Sequence, residues 1–217
     1  MELIKSFLDF FLHLDDHLRQ IILDYQGWTY LILFLIIFIE TGLVIWPFLP
    51  GDSLLFAAGT FAATGELNLA ALLILLFVAA VAGDTVNYYI GKYFGDKMLG
   101  FKFRGKNIVK EQHMEKTHNF YEKHGPKTII LARFVPIVRT FAPFVAGIGK
   151  MNYTKFITYN IVGGFIWVFS LTLLGYFFGN IPIVAKNFEI VVLGIIGISV
   201  LPIFFEFAKE WLKKKQA

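Results

Sequence analysis

The sequence predicts an all-α polytopic membrane protein. It is expected to contain two pseudo-symmetric, inverted repeats, each a proline-broken re-entrant hairpin plus a transmembrane helix, with amphipathic interfacial helices beside them. Three observations lead there. First, the 217 residues are 57% hydrophobic and 17% charged, include 25 Phe, and have a mean hydropathy of +0.64. Soluble domains run at roughly 45–50% apolar and about 25% charged, so an ordinary cytosolic enzyme is excluded. Second, four apolar stretches, Trp28–Phe48, Leu69–Ile90, Phe156–Phe178 and Phe188–Phe207, approach the ~20 residues a spanning helix needs. Third, short patterns occur twice along the chain.

Taken in order, residues 1–26 read as an amphipathic interfacial helix. Phe7, Phe11, Leu14, Leu18, Ile21 and Ile22 fall at helical spacing with acids between them, the pattern of a helix lying in the membrane surface. Glu2 and Asp9 crowd the charged end that a signal peptide needs, and Asp15 and Asp16 interrupt any signal-peptide core.

Residues 27–96 form the first repeat: Trp28–Phe48, a break at Pro47, Pro50 and Gly51, a short stretch Leu54–Ala63, and the span beginning at Leu69. Residues 97–126 are a basic connector. Between Arg19 and Lys92 there is no Lys or Arg, whereas Lys92–Lys127 carries nine basic residues against four acids. The positive-inside bias places the connector and the tail (209–217, with Lys209, Lys213, Lys214 and Lys215) in the cytoplasm, and Thr64–Asn68 outside. The side of the N-terminus stays open. Residues 127–180 form the second repeat. In it Thr128–Ile148 holds Arg133, Pro136, Arg139 and Pro143 and reads as a broken hairpin rather than a clean span. A last transmembrane helix, 181–208, precedes the tail.

The internal pattern is Gly91-Lys-Tyr-Phe-Gly95 against Gly175-Tyr-Phe-Phe-Gly179, and Pro47-Phe-Leu-Pro-Gly51 against Pro143-Phe-Val-Ala-Gly147. Glu40-Thr41 then falls near Arg139-Thr140. Amphipathic segments Ser6–Tyr25 and Asn107–His124 precede the two units.

The candidate site is set by charges inside apolar sequence: Glu40, Asp52 and Asp84 in the first half, Arg133 and Arg139 in the second. Each costs roughly 2.5–3.5 kcal/mol unpaired at the bilayer centre. They must therefore pair, meet water or hold a ligand. Pro47, Pro50, Pro136 and Pro143, with Gly51 and Gly147, are expected at the hairpin breaks; the prolines free backbone carbonyls and break helices, which is tolerated at membrane depth where the backbone lines a cavity or is buried in protein. Against this functional reading stands a static salt-bridge staple of Glu40, Asp52, Arg133 and Arg139. Asp84 and Asn87 form a secondary polar site, or equally a polar helix–helix seam. The Gly91/Gly95 and Gly175/Gly179 pairs read as packing notches.

Several chemistries are absent. With no cysteine, disulfides and thiolate sites are excluded. No P-loop, GxSxG, HExxH or Rossmann pattern occurs, so no catalytic residue, cofactor or metal is expected and the chain is not read as an enzyme. His13 and His17 read as a wetted helix face. The Asn152-Tyr-Thr154 sequon lies on the expected cytoplasmic side. The basic connector is expected to meet anionic lipid rather than nucleic acid.

Glu40 followed by PFLPGDSLLFAAG, then GDTVNYYIGKYFG, then FYEKHGPKTIILARFVPIVRTFAPFVAGIGKMNY, resembles the bacterial DedA family of the wider VTT, or SNARE-associated Golgi protein, group. The resemblance covers residues 1–205. It implies a bacterial inner-membrane lipid transporter with paired re-entrant hairpins. Family members are associated with returning undecaprenyl phosphate to the cytoplasmic leaflet, with moving phospholipids such as phosphatidylethanolamine, and with proton-dependent physiology. The family's key acids match Glu40 and Asp52, and its key arginines match Arg133 and Arg139. The resemblance does not fix the lipid. Three functions follow as expectations: a lipid-phosphate flippase taking undecaprenyl phosphate, a phosphatidylethanolamine scramblase, and a proton-coupled exporter of small cations. In the first, the arginines grip the phosphate and the acids couple protons. In the second, Glu40 or Asp52 takes the head-group amine. Either a monomer or a homo-oligomer fits the glycine notches.

Overall fold

The computed structural model describes residues 27–43, 51–100, 102–103, 106–107, 118, 121–122, 124–179, 181–182, 184, 191 and 194. The helices are α1 (Trp28–Gly42), α2 (Gly51–Ala63), α3 (Leu69–Gly100), α4 (Thr128–Ala132), α5 (Pro136–Ile148) and α6 (Tyr153–Phe178). A 3₁₀ turn, Gly125–Lys127, leads into α4. A two-residue antiparallel pair, β1 (Lys102–Phe103) with β2 (Lys106–Asn107), follows α3. Among the described residues the fold is all-α apart from that pair. The expected N-terminal amphipathic helix, Pro47 and Pro50, the tail, and most of the connector and of 181–208 lie outside the described residues.

Among the described residues, two helices are long and apolar enough to cross a bilayer: Leu69–Gly95, 27 residues, and Tyr153–Phe178, 26 residues. At ~1.5 Å per residue each exceeds the ~30 Å hydrocarbon core. Each begins at an asparagine cap. Asn68 Oδ1 accepts the Ala71 N–H at 3.0 Å, and Asn152 Oδ1 accepts the Lys155 N–H at 3.2 Å, satisfying a donor that a helix start leaves over. The stretch expected over Trp28–Phe48 is helical only to Gly42 among the described residues. Leu31, Leu35 and Ile39 recur every fourth residue along α1 and are exposed, as are Ile74 and Val78 of α3 and Phe165 and Ile166 of α6. Apolar faces this continuous are liabilities in water and suit contact with lipid.

The stretch Thr128–Ile148 is broken as expected, and the structure locates the break. α4 stops at Ala132, the chain turns through Arg133–Val135, and α5 starts at Pro136. Proline suits a first helical position because no intrahelical bond needs its missing N–H, and it drives Val135 into the extended region, φ −123° and ψ 101°. Pro143 and Gly147, expected at breaks, instead lie inside α5. The cost is local: Pro143 leaves only the Arg139 carbonyl without its helical donor.

The chain divides into two compact units, 30–51 with 68–170, and 1–29 with 52–67 and 171–217. In the first unit α3 and α5 form the main packed pair. Its core includes Tyr88, Ile129, Ala132, Val138, Ala142 and Phe156. Gly91 lies against the Phe144 backbone, Gly147 against the Tyr88 backbone, and Gly95 against Ile148, so closely that a Cβ at any of them would overlap its neighbour. In the second unit α2 packs on the 171–178 end of α6. There Gly175 lies against the Phe56 backbone, Gly59 against that of Thr172, and Gly179 against Thr60. Thr60 donates to the Phe56 carbonyl at 3.2 Å and lies 3.3 Å from that of Gly175.

Candidate functional site

Helix α1 brings Glu40 to its last turn, α3 carries Asp84 and Asn87 one turn apart, and the break before α5 presents Arg133, with Arg139 one turn into the helix. All five are buried. The structure pairs them in a way the sequence reading left open. Arg133 Nη2 donates to Asp84 Oδ2 at 2.6 Å, with side chains 1% and 4% exposed. Arg139 Nη2 donates to Glu40 Oε1 at 2.5 Å, with side chains 6% and 2% exposed. Asp84, read as secondary, is therefore the direct partner of one arginine. Such pairs reach strengths unavailable at a wet surface, but each charge must first be desolvated.

Asn87 ties the centre together. Its amide donates to the Thr41 carbonyl at 3.0 Å and to the Thr140 carbonyl at 2.8 Å. Thr41 lies in the last turn of α1, where carbonyls lack helical donors. Thr140 follows the arginine in α5. One side chain thus links the residue after Glu40 to the residue after Arg139. Glu40's carboxylate also lies against Gly51, where a Cβ would overlap it. Asp52 stands in the first turn of α2, half-buried, and belongs to the other compact unit. Pro136 and Pro143 flank Arg139 in α5, while Gly147 serves the contact with α3. Pro47 and Pro50 lie outside the described residues.

Three contributors are additional to the sequence reading. Asn160 of α6 accepts from Arg133 Nη2 at 2.5 Å and donates to the Val81 carbonyl at 3.0 Å. The Trp167 ring lies 5.6 Å from the Arg133 guanidinium carbon and 5.0 Å from that of Arg139, so one buried indole serves two cations. Gly163 admits the arginine: a Cβ there would meet Arg133 Cδ and Nε at 3.3 Å. A lone Asn and Trp within an apolar span were the available signal, since buried polar groups in such helices need partners. Arg133 Nε and Nη1, Asp84 Oδ1 and Asn87 Oδ1 are buried without a hydrogen-bond partner. The centre therefore retains donors and acceptors beyond its own pairs.

Among the described residues no group of His, Asp or Glu is arranged to hold a metal. What the arrangement offers is two guanidiniums, able to fork onto an oxyanion, each neutralised by a carboxylate from another helix.

Fold and site define a class: a helical membrane protein with ion pairs in its apolar interior. The chain belongs to the DedA family of VTT-domain proteins. The VTT domain model matches residues 49–177. The chain is 53% identical over 212 residues to Protein DedA of Escherichia coli (strain K12), covering 97% of this chain and 96% of that one. It is 44% identical over 167 residues to an uncharacterized membrane protein of Mycobacterium leprae (strain TN), covering 77% and 74%. It is 35% identical over 160 residues to Inner membrane protein YqjA of Escherichia coli (strain K12), covering 74% and 72%. No solved structure matches the chain.

Proposed function

We propose that the chain is a multi-pass inner-membrane transporter that moves a lipid phosphate between leaflets, with undecaprenyl phosphate as the first candidate. The observation that carries this reading is the pair of buried arginines at a proline-flanked helix break, each paired with a buried carboxylate. Guanidinium forks suit a phosphate head group. Two arginines supply +2 against the roughly −1.5 to −2 of a phosphate monoester, by analogy with phosphoserine.

Proton coupling follows from the pairing. A phosphate that displaces Glu40 from Arg139 would leave a buried carboxylate uncompensated, which costs about 3–5 kcal/mol when one partner of a buried pair is lost. Protonating that carboxylate removes the cost, so substrate entry and proton uptake are linked. Asp52, at the start of α2, is the second candidate proton carrier.

The architecture we propose is a pair of inverted repeats containing re-entrant hairpins. Its support is the register of the glycine contacts. Asn68, Tyr88, Gly91 and Gly95 correspond to Asn152, Thr172, Gly175 and Gly179, and Phe56, Gly59 and Thr60 correspond to Phe144, Gly147 and Ile148. This register matches Gly147 to Gly59 rather than to Gly51. The 97–126 connector and the C-terminus are assigned to the cytoplasm on their positive charge.

A phosphatidylethanolamine scramblase is the second reading, favoured by the one-to-one neutrality of the pairs, which suits a zwitterion. Reconstitution in liposomes tests both. Transbilayer movement of undecaprenyl phosphate and of labelled phosphatidylethanolamine is followed with and without a pH gradient. Selective movement of the polyprenyl phosphate, lost in Arg139→Ala, is the expected result. Movement of both lipids favours the scramblase. Movement of neither by folded protein overturns both.

A further inference from the structure

A cavity of about 470 Å³, lined by none of the residues of the charged centre, lies between the end of the connector, the C-terminal part of α5 and the start of α6. Its volume falls in the usual ligand-site range of about 300–1,000 Å³. One wall is apolar: Val145 and Met151, half-buried, and Ala146, buried. Tyr121 closes that side, donating its hydroxyl to the Ala142 carbonyl at 2.9 Å. Burial, and secondarily the charge of Asp84, pushes the Tyr121 phenol well above its ordinary pKa, so it remains a donor. The polar side chains of the lining, His118, Asn152 and Lys155, are exposed, and Gly125, Pro126 and Gly149 complete it. Among the described lining residues none is acidic. Glu122, outside the lining, lies 3.4 Å from His118 Nε2, which leaves Lys155 as the principal cation.

The depth of this cavity is marked by its neighbours. Lys155 and Asn152 stand where the apolar span of α6 begins. Tyr89 stacks with Tyr93 at 5.9 Å and packs on Tyr153 at 5.3 Å, and Lys92 Nζ lies 6.0 and 5.8 Å from the Tyr89 and Tyr93 rings. Tyrosine clusters with lysine are the signature of the membrane–water boundary. The chain near this boundary is also basic, with Lys92, Lys127, Lys150 and Lys155. An apolar wall beside an exposed lysine, next to such a boundary, has the polarity of a lipid.

We propose that this cavity is a binding site for an anionic phospholipid of the cytoplasmic leaflet, distinct from the charged centre, with the phosphate on Lys155 and an acyl chain against Val145, Ala146 and Met151. The proposal rests on the cytoplasmic assignment of the connector and not on lipid transport.

The test uses the full-length protein in nanodiscs of phosphatidylcholine containing a minority of phosphatidylglycerol, with retained lipid read by native mass spectrometry after release from the disc. The wild type is expected to retain phosphatidylglycerol selectively. Lys155→Ala should lower that preference about fivefold, the worth of one interfacial cation at ~1 kcal/mol, and Lys155→Arg should keep it. Val145→Phe, which fills the cavity without touching charge, should lower retention as well. Thermal melting of each variant establishes that it is folded. Equal retention of both lipids by the wild type overturns the proposal. So does unchanged preference in folded Lys155→Ala, or unchanged retention in folded Val145→Phe, as expected if a segment of this chain covers the cavity. Inorganic phosphate that competes away the lipid-dependent preference would identify a free-anion site instead. Transport is measured separately in Arg139→Ala, so failure of the lipid site and failure of the transport reading are read from different variants.

Discussion

At the residue scale, the two arginines share one indole and take different acids. Arg133 meets Asp84, the Asn160 amide oxygen and the Trp167 ring, and Arg139 pairs with Glu40 beside the same ring. Removing one partner of a buried pair leaves a charge that the low-dielectric interior cannot solvate. Asp84→Ala is therefore expected to destabilise the protein by about 3–5 kcal/mol, read as a lowered unfolding midpoint in detergent. The double variant Asp84→Leu with Arg133→Leu, which removes both charges, should be more stable than either single variant yet fail in transport. Full transport by that double variant would make the pair a staple and nothing more. Asn87→Leu loses two hydrogen bonds, one of them to the Thr41 carbonyl at the helix end, and should cost about 1–3 kcal/mol. The same melting measurement checks it.

At the element scale, close approach of helices depends on glycines that leave backbone in contact with backbone. Gly91→Leu drives a side chain into the Phe144 backbone, and Gly175→Leu drives one into that of Phe56. Overpacking of this kind costs typically about 1–3 kcal/mol, and more where backbone must move. Both variants should melt lower than wild type, and by similar amounts, if the two glycine-notched helix pairs serve equivalent roles. A large loss in one and none in the other would count against the repeat. The break between α4 and α5 was legible because proline stereochemistry is local. The continuity of α5 through Pro143 was not. The cost there is one missing hydrogen bond, and whether a helix bears it depends on what packs around it.

At the scale of the whole molecule, the charge distribution makes a topological prediction. The chain has no cysteine, so single cysteines report without background. Cysteine at Lys106 or Lys214 should react with a membrane-impermeant maleimide only after the inner membrane is permeabilised. Cysteine at Glu66, which is exposed, should react from the periplasmic side. The reverse pattern would overturn the assigned orientation, and with it the leaflet assigned to the lipid cavity.

The sequence by itself determined that the chain is a membrane protein, that the stretch Thr128–Ile148 is interrupted near Arg133, and that a few charges lie in apolar surroundings. Hydropathy, proline geometry and positive charge are properties of short windows, and they need no partner to be read. Only the tertiary structure decided the partners. Arg139 meets Glu40 across 99 residues of chain, Arg133 meets Asp84 across 49, and Asn160 reaches Arg133 across 27. No local rule chooses among three acids for two arginines. That choice belongs to the crossing of α1, α3, α5 and α6, which sets the acids beside the guanidiniums and inserts Trp167 near both.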